Sequence, residues 1–308
     1  MYFPYLRGRQ YELLALKELA NKKLMQSSII PVIEPVKLIP ALDNALAAFD
    51  KSELSIALIL NPNVGDLQGE PEIIDKLVNR FSSNTFVILS VLLNESTDAV
   101  MQKLLQKELP KNKILVVFEN RDYLDTYHRL FSDDSPKYTL CPDERAMRRA
   151  VHQNKVLFEN KFNKQSRNAD YPDDEFFSDD HLYYKEDGYL GFGDYSIIGN
   201  DYIESGFAPY AVAIHIVYFD DDDSLRIKHF ISDSNEGISD VAGKFNEAVT
   251  KLYNWYACGN ERQLTRGLQT LLDHYKNGTY PGLPTLKKLS VMHHLELMSN
   301  YLDGRKLG

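Results

Sequence analysis

The feature that most constrains this chain is a change of hydrophobic period that keeps recurring. Short apolar, β-branched runs fall at residues 29–36, 56–60, 85–93, 114–118, 137–140 and 155–158. They are continuous rather than alternating, which implies burial on both faces, as in a parallel sheet covered by helices. Between them, apolar residues return at helical spacing over 11–24, 41–49, 72–81, 97–109 and 123–131, and Asp143 is placed to cap one more helix. The prolines within 29–36 exclude a helix there, so that run reads as a strand ending near Glu34. Two further runs, 189–198, interrupted by Gly191 and Gly193, and 211–219, bring the count to eight. Eight strands separated mostly by helices predict an α/β fold of the (βα)8 TIM-barrel type rather than an open doubly wound sheet.

Two segments depart from a regular barrel. Residues 161–188, which follow the sixth run, are acidic, aromatic and too long for a simple βα connection, so an inserted lid or loop is expected there. Residues 220–223 read as a hairpin tip, because strand character resumes over 226–232. Helical spacing over 242–256, 261–275 and 285–301 then closes the chain. The expected organisation is one barrel-like domain over 1–308, with 161–188 inserted and the helices of 238–308 packed on the barrel.

Composition narrows the function classes. No apolar stretch approaches the roughly 18–20 residues of a membrane span, and the opening MYFPYLRGRQ lacks the basic-then-apolar order of a secretion signal. The cytoplasm is therefore the expected compartment. Two cysteines, Cys141 and Cys258, lie far apart, which excludes a disulfide framework and a cysteine metal site. A formal net charge of -9 argues against extended nucleic-acid binding, since phosphate contacts need clustered Lys and Arg. The segment Gly191-Phe192-Gly193-Asp194 lacks the third glycine and following helix of a nucleotide loop, and a strand bend or bulge beside Asp194 accounts for it better.

In a barrel, reactive side chains sit where strands end, because the βα loops converge there. That rule selects Glu34, Asn61 and Asn63, Asn94 and Glu95, Glu119 and Asn120, and Glu159 and Lys161, with Asp194 and His215 inside the last two runs. Two strands end in the same tripeptide, Phe118-Glu119-Asn120 and Phe158-Glu159-Asn160. Paired carboxylates in a partly desolvated mouth can divide into acid and base, with Glu34 and Glu119 as that pair and Glu159 as a second base. The same carboxylates, with asparagine carbonyls, can instead hold Mg²⁺. Lys161 and His215 are placed to stabilise developing negative charge. His293 and His294 have no acidic partner at the spacing of a metal helix.

The opening YFPYLRGRQYELLAL at residues 2–16, followed by Ile-Pro-Val-Ile-Glu-Pro, resembles the phage beta-protein family. Arg167-Asn168-Ala169-Asp170-Tyr171, Gly191 to Tyr195, Ala211 to His215 and His229-Phe230 resemble a bacterial branch of it. That family has no assigned reaction, and its bacterial members are associated with phages and mobile elements. The resemblance marks Arg7, Glu34, Asn168, Asp170, Asp194 and His215 as signature positions. The leading expectation is a hydrolase or lyase for a phosphorylated, nucleotide-like or glycosyl small molecule. Glu34, Glu119, Glu159, Asp194 and His215 carry the chemistry, and Arg7, Asn61, Lys161, Asn168 and Asp170 bind substrate. The alternative is a non-catalytic subunit that recognises a protein partner through Tyr171, Phe176, Phe177, Tyr183 and Tyr184 of 161–188.

Overall fold

The computed structural model describes residues 1–203, 209–259 and 264–304. Seven parallel strands run in chain order around a barrel: β1 (Tyr5–Leu6), β2 (Val32–Ile33), β3 (Ile56–Ile59), β4 (Val87–Leu92), β5 (Leu115–Val117), β6 (Tyr138–Cys141) and β7 (Lys155–Phe158). The next strand, β8 (Asp174–Ser178), belongs to a second sheet, and β9 (Gly191–Gly193) is the eighth barrel stave. Closure comes from the chain start: Phe3 N donates to Phe192 O and Tyr5 N to Asp194 O, each at 2.8 Å. A (βα)8 TIM-barrel-like fold is therefore present. Helices α1 (Gln10–Asn21), α2 (Pro40–Lys51), α3 (Pro71–Phe81), α4 (Thr97–Gln106), α5 (Leu124–Phe131) and α6 (Arg145–Ala150) follow the first six strands. Prolines in the first turn of α2 and α3 help set their starts, where a missing N–H costs nothing.

One of the eight expected strands is replaced by another. The first stave is the opening segment, which carries no long apolar run because Pro4 interrupts it, although Tyr2, Phe3, Tyr5 and Leu6 are all buried. Residues 211–219 lie outside the barrel. They contain β10 (Ala213–Phe219), which pairs antiparallel with β11 (Leu225–Ile231), and β11 pairs antiparallel with β8. The tight 220–223 hairpin forces that antiparallel geometry, since a parallel neighbour needs a long crossover. The insertion consequently follows the seventh stave, β7, rather than a sixth.

Barrel staves bury side chains on both faces, and the two faces feed separate cores. Phe3, Tyr5, Val32, Ile59, Leu92, Val117, Leu140, Phe158 and Tyr195 fill the lumen. Leu6, Ile33, Leu58, Leu93, Phe118 and Leu157 face the helices. The large lumen aromatics explain the glycines of β9. A Cβ on Gly193 would stand 2.5 Å from Phe3 O, and one on Gly191 would stand 2.7 Å from Met1 O. The backbone of β9 continues the parallel ladder with β7, so closeness to Met1 and Phe3, not a bulge, requires glycine here.

The 161–188 segment makes the crossover from β7 to β9. It enters the second sheet as β8, forms the short α7 (Asp180–Tyr183), and reaches the N-terminal end of the barrel, where the Met1 amino group donates to Tyr184 Oη. Tyr171, Phe177 and Tyr184 are buried, whereas Phe176 (54%) and Tyr183 (49%) are exposed. After the second sheet come α8 (Val241–Ala257), α9 (Arg266–Asn277) and α10 (Leu283–Leu302). Residues 261–263 of the expected middle helix lie outside the described residues. Helix α10 packs on α1, α9 and β10, joining the two sheets through one apolar layer. No helix among the described residues is long and apolar enough to cross a membrane.

Candidate functional site

Side chains alternate along a strand, so the last lumen residue of each stave fixes which loop residue points into the mouth. Tyr5 faces in, hence Arg7 does; Val32 gives Glu34, Ile59 gives Asn61, Leu92 gives Asn94, and Val117 gives Glu119. On β7 the lumen residue is Phe158 itself, so the inward position is Asn160 and Glu159 turns outward. The two Phe-Glu-Asn tripeptides are thus out of phase: Phe118 packs in the outer core and Phe158 in the lumen. On β9, Phe192 packs outside, which turns Tyr195 inward and Asp194 outward.

The centre of the mouth is a pair of tyrosines around one guanidinium. The Arg7 carbon lies 5.3 Å from the Tyr5 ring centroid and 5.2 Å from that of Tyr195, within cation–π range. Its Nη1 pairs with Glu34 Oε2, and its Nη2 donates to Asn200 O at 2.6 Å. Arg7 Nε is buried with no hydrogen-bond acceptor among the described residues. Glu34 also accepts from Tyr5 Oη at 2.9 Å and from Asn63 N at 2.7 Å, which leaves it fully engaged. Glu34 is a buried anchor for the rim.

Glu119 differs. One oxygen accepts from Tyr195 Oη at 2.6 Å. Its side chain lines an open pocket of about 380 Å³ with Pro62, Asn63, Asn94, Glu95, Asn120 and Tyr123. Although reachable by water, the carboxyl stands deep among rim atoms. That desolvation pushes its pKa above the usual carboxylate range, against the pull of the Tyr195 hydrogen bond and Arg7 and with a push from Glu34. Burial, and then Glu119 itself, raise the Tyr195 phenol, so it stays a neutral donor.

The asparagines fasten loops. Asn61 Nδ2 donates to Leu92 O and to Asn94 Oδ1, both at 2.7 Å, and Asn94 Nδ2 reaches Asn63 Oδ1 at 2.6 Å. This network holds the β3 and β4 loops together and presents amide edges to the pocket.

The remaining predicted residues separate from this centre. Lys161 bridges Glu159 (2.8 Å) and Asp180 (3.0 Å) and ties the crossover segment to the barrel wall. Asp194 is buried outside the lumen, accepting from Tyr2 Oη at 2.7 Å and Ser196 N at 2.6 Å. Burial, partly offset by those donors, pushes its pKa up to about 6. His215 sits on the second sheet against His229, Asn168 Nδ2 donates to Ala211 O at 2.8 Å, and Asp170 pairs with exposed Arg167. The expected single constellation therefore divides: Arg7, Glu34, Asn61 and Glu119 meet at the mouth, and Glu159, Asp194, His215, Asn168 and Asp170 do not. Sequence reasoning passed over Tyr5 and Tyr195, whose lumen placement depends on the unrecognised first stave and on the phase of β9. Among the described residues, no three His, Cys, Asp or Glu side chains are grouped to hold a metal ion. Comparison with family models, with curated proteins and with solved structures gives no match to this chain.

Proposed function

We propose that the chain is a barrel hydrolase or lyase in which Glu119 acts as the acid–base group on a neutral, hydroxyl-rich substrate of the glycosyl type. The observation that carries this reading is the contrast between two carboxylates on one rim, Glu34 consumed by Arg7, Tyr5 and Asn63 N, and Glu119 open to a pocket and raised in pKa. A raised carboxyl pKa brings proton donation and acceptance closer to neutral pH. No Lys or Arg is among the described residues lining that pocket, and Arg7 is already paired with Glu34. Asparagine amides, Tyr123 and Glu95 suit hydroxyl recognition better than a phosphate, which draws Lys, Arg or a metal. The resemblance to the phage beta-protein family supports a setting in phage–host conflict and leaves the reaction open.

The test is turnover of a panel of 4-nitrophenyl glycosides by the purified protein and by Glu119→Gln. Removal of a general acid–base group is expected to lower kcat by about 10²–10⁴-fold without a large change in thermal stability. A wild-type protein inert towards the whole panel, or a Glu119→Gln protein as active as wild type, sinks the proposal. A second reading, a subunit that binds a protein partner, draws on the exposed aromatics Phe176 and Tyr183. It requires that Phe176→Ser/Tyr183→Ser abolish partner binding while leaving stability intact.

A further inference from the structure

The crossover segment, the second sheet and α10 line a further open cavity of about 370 Å³ that shares no lining residue with the mouth pocket. Phe162, Tyr171, His215, Asn168, Lys164 and Lys287 line it. Behind His215 runs a chain of polar contacts: His215 Nδ1 lies 2.7 Å from His229 Nδ1, and His229 Nε2 lies 3.1 Å from Glu175 Oε1. Tyr171 stacks on His229 at 4.7 Å between centroids and meets His215 edge-on at the same distance. Burial, then the neighbouring His229 and Lys287, keep His215 neutral; burial lowers His229 as well, against the attraction of Glu175.

Proton bookkeeping along this chain has one solution. A carboxylate only accepts, so His229 Nε2 donates to Glu175. Neutral His229 then has its lone pair on Nδ1, and His215 Nδ1 must donate to it. Nε2 of His215 is left as an open acceptor on a ring that lines the cavity. Two lysine side chains share that cavity. Among the described residues, Lys164 has its nearest carboxylate, Asp201, only at 3.8 Å, and Lys287 makes no ion pair; burial lowers the Lys287 pKa, Glu12 opposes that, and Arg9 and Lys164 add to it, so an incoming anion would restore its charge.

We propose that this cavity is a second binding site, for a small organic anion with a ring body and a hydroxyl. Lys287 and Lys164 take the anionic group, Tyr171 and Phe162 flank the ring, and His215 Nε2 accepts the hydroxyl proton in a hydrogen bond. The site requires nothing of Glu119, so it stands or falls apart from the mouth.

Calorimetric titration of the 308-residue chain with 4-hydroxybenzoate, benzoate and 4-hydroxybenzyl alcohol tests each element. The hydroxy acid is expected to bind tightest, with benzoate weaker by roughly three- to tenfold, the scale of one neutral hydrogen bond, and the alcohol by roughly tenfold or more, the scale of one charge-assisted hydrogen bond. Lys287→Met should weaken the hydroxy acid by roughly tenfold or more and His215→Gln by roughly three- to tenfold, and Glu119→Gln should bind it like wild type. Absence of binding to wild type, unchanged affinity in Lys287→Met, or loss on Glu119→Gln overturns the proposal. Because a histidine change can disturb the sheet, long-range proton–nitrogen NMR of the wild type gives an independent readout. It should find His215 protonated at Nδ1, and a resting imidazole protonated at Nε2 overturns the hydrogen-bond scheme.

Discussion

Glu34 and Glu119 are the same residue type at the same level of one barrel, yet their surroundings give them different work. Glu34 has no side-chain exposure and is held by Arg7, so the pair stabilises the rim only while both partners are present. Arg7→Met would strand a buried carboxylate and is expected to cost about 3–5 kcal/mol, whereas adding Glu34→Gln should restore part of that loss. Urea unfolding of the two single variants and the double variant checks this. Additive losses would show that the two side chains are not energetically coupled.

At the scale of elements, strand phase decides which groups meet. The repeated Phe-Glu-Asn looks like one motif used twice, but β5 and β7 enter it with opposite phase, so Glu119 reaches the mouth and Glu159 pairs with Lys161 on the wall. Helix α10 offers a pH-linked case. Glu296 is buried and accepts from Arg266 N at 2.9 Å, and burial pushes its pKa up from 4.5 to about 7 despite that donor and the Arg266 charge. The folded state therefore holds this proton more tightly than the unfolded chain, so the contribution of Glu296 to stability falls as pH rises from 4.5 to 7. At about 1.4 kcal/mol per pH unit of displacement, Glu296→Gln should gain on wild type by up to about 3 kcal/mol across that window. On the same helix His293 and His294 are lowered by burial to about 4 and about 3, so their contributions fade as pH drops below 6.5. Measuring wild type minus variant at each pH cancels the histidines; a difference that stays flat with pH sinks the assignment.

At the scale of the whole molecule, closure depends on the first six residues. They hydrogen-bond to β9 and β2, supply Tyr2, Phe3, Tyr5 and Leu6 to the two cores, and receive the β9 backbone against Phe3. Deletion of residues 1–6 should open the barrel and abolish cooperative thermal unfolding. A truncated protein that keeps a sharp transition would show that the closing contacts are dispensable.

Much of this architecture was legible because parallel staves must be apolar on both faces while their helices are apolar on one, and that change of period is written locally. The runs at β2 through β7, the helices between them, the 220–223 hairpin and the rim positions Glu34, Asn61 and Glu119 could all be read from it. What the chain alone left open was every relation between distant segments. The opening stave is too short and too interrupted by Pro4 to announce itself. The run at 211–219 has the composition of a stave but pairs with its hairpin partner. The direction in which Glu159, Asp194 and Tyr195 point turns on strand phase, which the lumen packing sets. The sequence by itself determined the periodic elements, because hydrophobic burial acts on neighbours along the chain. Only the tertiary structure decided which carboxylate is anchored, which is open, and that His215 joins Glu175 and His229 instead of the mouth, because those outcomes depend on side chains brought together from far apart.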